Sequence, residues 1–339
     1  MSTTRAAPAA PKPGAGRTGI PVDPGGRDPH RWRNLMHRFD LRYTPYLLVA
    51  PFFVLFLIFG LIPIVFNAVV ALRTWRLDDS TANGWAGLEN FERLLTDDRF
   101  WNALYNTFGI FILSTVPQLT LAMITAALLN RHLRMQTWFR VGVLLPYITP
   151  ITASTLIFSV VFASGETGAA NWVLSLLGIN EGDPLNWRSA KWSAWTAIAT
   201  MVNWKWIGYN ALLYLAAMQA IPRDVYEAAA VDGAGVWRQL WRITVPMIRP
   251  VVIFTVVLST IGGLQLFTEP MLFEQNAQMA NGGANGEWQT IAQLIYRIGW
   301  KELNLGYAAA MSWALFLIIV VVAAVNALIS NRLGGGGRK

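Results

Sequence analysis

No cysteine occurs in the sequence, which removes a disulfide frame, a thiolate zinc site and a cysteine nucleophile, and leaves the redox compartment unmarked. Charge is scarce. Asp, Glu, Lys and Arg make up 14% of the chain against 54% apolar residues, whereas a soluble domain carries about 25% charged and at most about half apolar. That deficit points to a membrane as the solvent. Only three histidines are present, His30, His37 and His132, all on basic segments and none at the His/acid spacing of a metal site; a solvated role suits each, and no metal is expected. A G-x-x-x-x-G-K-[ST] phosphate loop is also missing, so no nucleotide cofactor is expected in this chain and no catalytic residue is assigned.

What the chain does contain is apolar sequence in long runs. Six stretches, near 47–72, 105–129, 141–163, 194–219, 250–268 and 307–329, approach the roughly 20 residues that cross a bilayer at 1.5 Å rise per residue. Backbone polar groups inside a bilayer must bond within their own segment, so each run is expected to be a helix and the fold all-α and polytopic. Pro51, Pro63 and Pro117 predict kinks. Residues 1–45 form a separate basic tail, rich in Pro, Gly and Ala and expected to be disordered; residues 46–331 form the transmembrane domain, and 332–339 a short second tail. The long apolar segment behind the tail reads as a retained helix rather than a cleaved signal.

The formal charge of +8 raises nucleic acid as a partner, but the placement of the cations answers it. With both termini cytoplasmic, the cytoplasmic segments hold 18 Lys and Arg residues, the outer segments hold 8 together with 13 of the 19 acids, and Lys205 lies inside a span. The positive-inside rule favours that orientation. The basic balance reports topology, and no nucleic acid is expected.

In this topology residues 222–246 are a cytoplasmic loop between the fourth and fifth spans. "IPRDVYEAAAVDG" carries helix signals: Pro222 ahead of the start, Asp224 as N-cap with Glu227 three residues on, and Gly233 as a stop. "VWRQLWRITVP" reads as a second short helix with Val236, Leu240 and Ile243 on one face and Pro246 ending it. Joined at Asp232 and Gly233, the two project as a knuckle, and the small residues Ala228, Ala229 and Ala230 allow close approach by a partner. A capping box alone would explain Glu227 structurally.

The loop resembles the EAA loop of the integral membrane subunits of bacterial ABC importers, whose pattern is Glu-Ala-Ala, three residues, Gly, nine residues, Ile, one residue, Leu, Pro. Glu227, Ala228, Ala229, Gly233, Ile243 and Pro246 stand at the required spacing, with Val245 where Leu is usual. "GLENFERLLTDDRFWNALYNTF", "LLPYITPITASTLIF" and "LAAMQAIPRDVYEAAAVDGAG" are similar to the maltose-type carbohydrate permeases, and "LQLFTEPMLF" to subunits serving disaccharides such as cellobiose or lactose. This resemblance implies the type I permease fold and a bacterial cytoplasmic-membrane location. It implies a heterodimer with a second permease subunit, and two copies of a cytoplasmic ATP-binding subunit that hold ATP and Mg. An extracytoplasmic solute-binding lipoprotein delivers the sugar, and the translocation path runs by alternating access. By resemblance Glu227 meets a basic side chain of the ATPase and Gly233 permits the turn, with Asp232 beside it.

Polar groups in a membrane usually face a cavity or a partner helix, and sugars suit aromatic faces flanked by amides. The fourth span offers Trp204, Trp206, Tyr209 and Asn210, the fifth Gly262 and Gln265. By resemblance Tyr209 and Gln265 align with sugar-contacting positions, while the glycine at 262 replaces an amide. The competing readings are an interfacial aromatic belt and helix packing. Lys205 either snorkels or pairs with Glu269. An ion-coupled secondary sugar carrier is the alternative function, but it calls for an acid near midplane, and the spans contain none.

Overall fold

The computed structural model describes residues 31–79, 81, 83–131, 134–179, 183–273 and 281–334, with the side chains of 31–42 and 330–334 left aside. His30 and His132, and the tail before residue 31, lie outside the described residues. The chain divides into two units, 1–64 and 65–339.

In the first unit α1 spans Arg31–Phe56 and a π-helical turn, Leu57–Leu61, follows. Residues 31–45 are therefore helical, not disordered as their place in the tail predicts. Past the Pro- and Gly-rich stretch, a helix already nucleated in the apolar run extends backwards with no new nucleus to form. Tyr46, Leu48 and Phe59 are each about three-quarters exposed, and apolar side chains face outward all around the helix. A helix apolar on every side satisfies its backbone but not its side chains, and needs a bilayer or another subunit around it.

The helical course continues in α2, Ile62–Ala71. A two-stranded antiparallel ribbon follows, β1 Arg73–Thr74 with β2 Gly84–Trp85. Asn90 at the start of α3, Glu89–Thr96, donates to the carbonyls of Ala71 and Arg73 and so completes the end of α2. The long helix α4, Asp98–Leu129, continues past Pro117 without a break in its helical assignment. A bent pair comes next, α5 Gln136–Ile148 and α6 Ile151–Val161, turned by 91°. The third apolar stretch is thus two helices and not one continuous helix: Pro150 lacks an N–H and holds Thr149 extended, at ψ 131°.

α7, Ala169–Leu176, leads to α8, Lys191–Gln219. At 29 residues α8 is long enough to cross a bilayer, yet Lys191, Lys205 and its amides leave it outside the three helices that are both long and apolar enough, Tyr43–Ala71, Asp98–Leu129 and Leu305–Ile329. The loop helices are α9 Arg223–Val231, α10 Val236–Gln239 and α11 Val245–Met247. They lead into α12, Arg249–Leu264, which is bent by 78° from the helical run before it. α13, Thr268–Phe273, α14, Ile291–Tyr296, and α15, Leu305–Gly334, complete the order. α15 runs past the expected start of the second tail; residues 335–339 lie outside the described ones.

The core of the second unit is built on α4 and α8, which run side by side in the same direction. Gly109 permits the approach, since a side chain there would strike the ring of Trp195. Small residues line the rest of the seam, Ala122 and Ala126 on α4, and Ala194, Ala197 and Ala211 on α8, all buried. α12 lies antiparallel to both, with Gly263 against Phe111 and the Tyr214 hydroxyl 2.6 Å from Thr255 Oγ1. α15 closes the bundle, burying Met311 and Leu315 beside Leu94 and Leu264.

Candidate functional site: the loop of residues 222–246 and the polar seam of α8

The loop is a pair of short helices with a defined turn. Pro222, not Asp224, occupies the position before α9, with extended backbone and no side-chain cap. Asp224 becomes the second residue of the helix, favourable for the dipole, and Glu227 the fifth, too far on to close a capping box. The fixed φ of proline sets the start two residues earlier than the side-chain cap predicts. Glu227 is exposed and makes no hydrogen bond or ion pair among the described residues.

α9 ends in a Schellman turn. The Ala234 N–H donates to Ala229 O at 2.9 Å and the Gly233 N–H to Ala230 O at 3.0 Å, with Gly233 at φ +74°. Asp232 sits at the junction and is exposed, as is Ala228; Ala229 faces inward.

The second helical run continues past Pro246 to Met247 instead of ending there. Its middle, Leu240–Thr244, is a π-helical turn. That turn ends two residues before Pro246, as Leu57–Leu61 ends two residues before Pro63. In each the proline ring would strike the carbonyl four residues back, and widening the turn removes the clash. Leu240 and Thr244 point inward, Ile243 is half-buried, and the Thr244 hydroxyl lies 3.1 Å from that of Tyr226, linking the two loop helices. Outward stand Val231 at 88% exposure, Trp237 at 60% and Trp241 at 50%. An apolar surface of this kind, set among charged residues, marks a docking face.

Behind the loop, where α4 and α8 end, is a cleft of about 540 Å³, lined by residues that include Asn130, Arg131, Gln219, Arg223 and Tyr226.

The polar positions of α8 separate into distinct surroundings. Trp206 and Tyr209 come together with a residue that sequence reasoning missed, Tyr147 of α5: the rings of Tyr147 and Tyr209 stack at 4.8 Å and Trp206 lies 5.3 Å from Tyr147. The signal available was the motif "LLPYITP", in which an aromatic residue precedes a helix-breaking proline. Trp204 instead packs edge-on to Phe158, 5.5 Å away, at the margin of the core. Asn210 is buried and turns its amide back to Trp206 O at 3.2 Å, which is a packing role. Gly262 and Gln265 are exposed, and a side chain at 262 would meet open space.

Lys205 and Glu269 form no ion pair. Lys205 Nζ donates to Thr149 O at 2.7 Å and to Tyr147 O at 3.4 Å, while Glu269 is buried on α13. The break between α5 and α6 explains the choice: the last carbonyls of α5 have no helical partner, and a cation at that end satisfies them. Close helix approach brings the groups together, because Gly208 lies against the carbonyl of Val143.

At the other end of α8 the network is dense. Lys191 Nζ donates to Asn102 Oδ1 at 2.6 Å, Asn106 holds the carbonyls of Gly286 and Gln289, and Trp195 Nε1 holds that of Glu287. Asp97 caps α4 and accepts from Tyr307 at 2.8 Å. Burial pulls the pKa of Asp97 upward, but the hydrogen bonds from Arg99 and Tyr307 outweigh it and hold the carboxyl below its usual range.

The family described as binding-protein-dependent transport system inner membrane component matches residues 118–335, and the chain belongs to it. It is 32% identical to the arabinooligosaccharides transport system permease protein AraP of Halalkalibacterium halodurans over 83% of this chain and 85% of that protein. It is 35% identical to the lactose transport system permease protein LacF of Rhizobium radiobacter over 82% of this chain and 90% of that protein. The fold matches a chain in the crystal structure of a bacterial ABC transporter that imports the acidic polysaccharide alginate, with TM-score 0.73 and 23% identity over 88% of this chain and 99% of that one. The expected ABC importer permease fold stands, and family membership replaces the ion-coupled alternative.

Proposed function

We propose that this chain is the sugar-translocating permease subunit of an ATP-driven importer, taking a di- or oligosaccharide across the bacterial cytoplasmic membrane. The observation that carries the coupling role is the loop: Glu227, Ala228 and Asp232 stand exposed on α9, and the Schellman turn at Gly233 holds the second helix at a fixed angle to it. An exposed carboxylate without a partner among the described residues, on a loop that also exposes Val231 and Trp237, suits a groove on a separate cytoplasmic ATPase that supplies ATP and Mg. Both termini then lie in the cytoplasm. A second permease subunit completes the path, two ATPase copies drive it, and an extracytoplasmic binding protein feeds it. The substrate class rests on AraP and LacF, whose names carry arabinooligosaccharides and lactose.

Tyr147, Trp206 and Tyr209 supply aromatic faces for a sugar ring at the break between α5 and α6, with Gly262 and Gln265 open on α12. Alternating access follows when the ATPase holds the loop differently in its two states, because a ligand shifts a two-state system only through differential affinity. Purification of the tagged chain from its native membrane in mild detergent, followed by mass spectrometry, tests the reading. An ATPase and a second permease should accompany the wild-type chain and be lost from Glu227→Lys; a chain that emerges alone and drives sugar uptake in vesicles without ATP overturns it.

A further inference from the structure

The cleft behind the loop is not lined by the residues that carry the coupling reading, Glu227, Ala228, Val231 and Asp232, although Arg223, Tyr226, Leu240 and Thr244 of the same loop do line it. Its chemistry is one-sided. Arg131, from the turn after α4, and Arg223, the first residue of α9, both line it, neither makes an ion pair among the described residues, and no carboxylate faces the space. Amides and hydroxyls of Asn130, Gln219 and Tyr226 surround the two guanidinium groups, while Met218 and Leu240 give the cleft an apolar side.

The negative ends of α4 and α8 would oppose an anion here, but several of their last carbonyls already accept hydrogen bonds. Gln136 Nε2 donates to Leu129 O at 2.6 Å, Asn130 N to Ala126 O at 2.9 Å and Ile221 N to Met218 O at 3.2 Å. What faces the cleft is therefore positive charge over an apolar side, between helix ends at a membrane boundary. Basic pockets so placed hold the phosphate of anionic lipids, and a planar guanidinium pair is suited to a phosphate.

We propose that this cleft is a phosphate-binding site in which Arg131 and Arg223 hold the phosphodiester of an anionic lipid or a soluble phosphate ester, tying the end of α4 to the coupling loop. The ligand would brace the loop against the bundle from the face opposite Glu227. The binding itself does not depend on the coupling reading, because it is measured without ATP turnover.

The test is the thermal midpoint of the purified complex in neutral detergent, titrated with short-chain phosphatidylglycerol, phosphatidylcholine of the same chain length, or glycerol phosphate. A rise with phosphatidylglycerol alone identifies the lipid source; an equal rise with glycerol phosphate identifies the soluble one. Arg131→Gln and Arg223→Gln should each raise the concentration for half the shift by about tenfold, the loss of one charge-assisted contact. Arg238→Gln/Arg242→Gln, on the second loop helix but away from the cleft, should leave it unchanged. Arg223 is exposed on α9, so its replacement keeps the fold should Arg131→Gln fail to assemble. No shift with either phosphate compound, an unchanged shift in both cleft variants, or an equal loss in Arg238→Gln/Arg242→Gln overturns the proposal.

Discussion

The two ends of α8 are built to opposite rules. Around Lys191 the helix is fastened by polar groups with exact partners: Asn102, Asn106 and Trp195 between them hold Lys191 and the carbonyls of Gly286, Glu287 and Gln289. Around Gln219 such fastening gives way to a cleft of about 540 Å³ and a loop whose largest apolar side chains face outward. Three donors from two helices, Asn102, Asn106 and Trp195, tie that end to one loop, although the buried Asn106 Oδ1 itself lacks a partner among the described residues, and such a network favours one arrangement. An end with exposed apolar surface is left to be completed by another molecule, and is adjustable in that sense.

The sharpest way to break that contrast is at the adjustable end. Glu227→Lys should lower ATP-driven sugar uptake in vesicles by about 100-fold, the effect of about 3 kcal/mol lost from a docking charge. Its thermal midpoint as an isolated chain should not change. Near-normal uptake in that variant removes the loop from the mechanism.

Midway along the helix, packing rather than polarity decides. Gly208→Ala places a methyl against the Val143 carbonyl and should destabilise the chain by about 2 to 3 kcal/mol, whereas Gly262→Ala, facing open space, should change stability by less than about 0.5 kcal/mol. Thermal unfolding of the two variants side by side gives the answer, and equal effects would mean that α5 does not lie against α8 as described.

Lys205→Met should lose about 2 kcal/mol by stranding the carbonyls of Tyr147 and Thr149. In a double-mutant cycle with Glu269→Gln the coupling should stay under about 0.5 kcal/mol, and a coupling above about 1 kcal/mol would restore the ion pair.

The smallest expected effect is at the fastened end. The pKa of Asp97 is lowered in the folded chain, so its contribution is complete above the unfolded value of about 3.9 and is lost as pH falls through the folded one. Part of the acid sensitivity should disappear in Asp97→Asn, read as a flatter midpoint profile as pH falls below about 4.

The coupling loop was legible because its pattern is local: Gly233 must take positive φ, small residues must stand beside Glu227, and Pro246 must lie at a set distance, all within one short segment. The roles within it were less so. Asp224 has the chemistry of a cap, but Pro222 fixes the helix start, and the widened turn before Pro246 lets the helix pass a residue that reads as its end. Lys205 was recognisable as an expensive group in a span, though not its partner, because the carbonyls that receive it are exposed only by the break at Pro150, 55 residues away in sequence.

By itself, the sequence determined the apolar spans, the helical class and the family, since hydropathy and short spacing both act over a few turns of chain. Only the tertiary structure decided that Lys205 caps a broken helix and leaves Glu269 unpaired, that Tyr147 joins Trp206 and Tyr209, that Asn210 packs rather than lines the path, and that two arginines share a cleft. Each of these depends on which helices approach closely, and that approach is set by small residues such as Gly109 and Gly208 meeting partners far away in the chain.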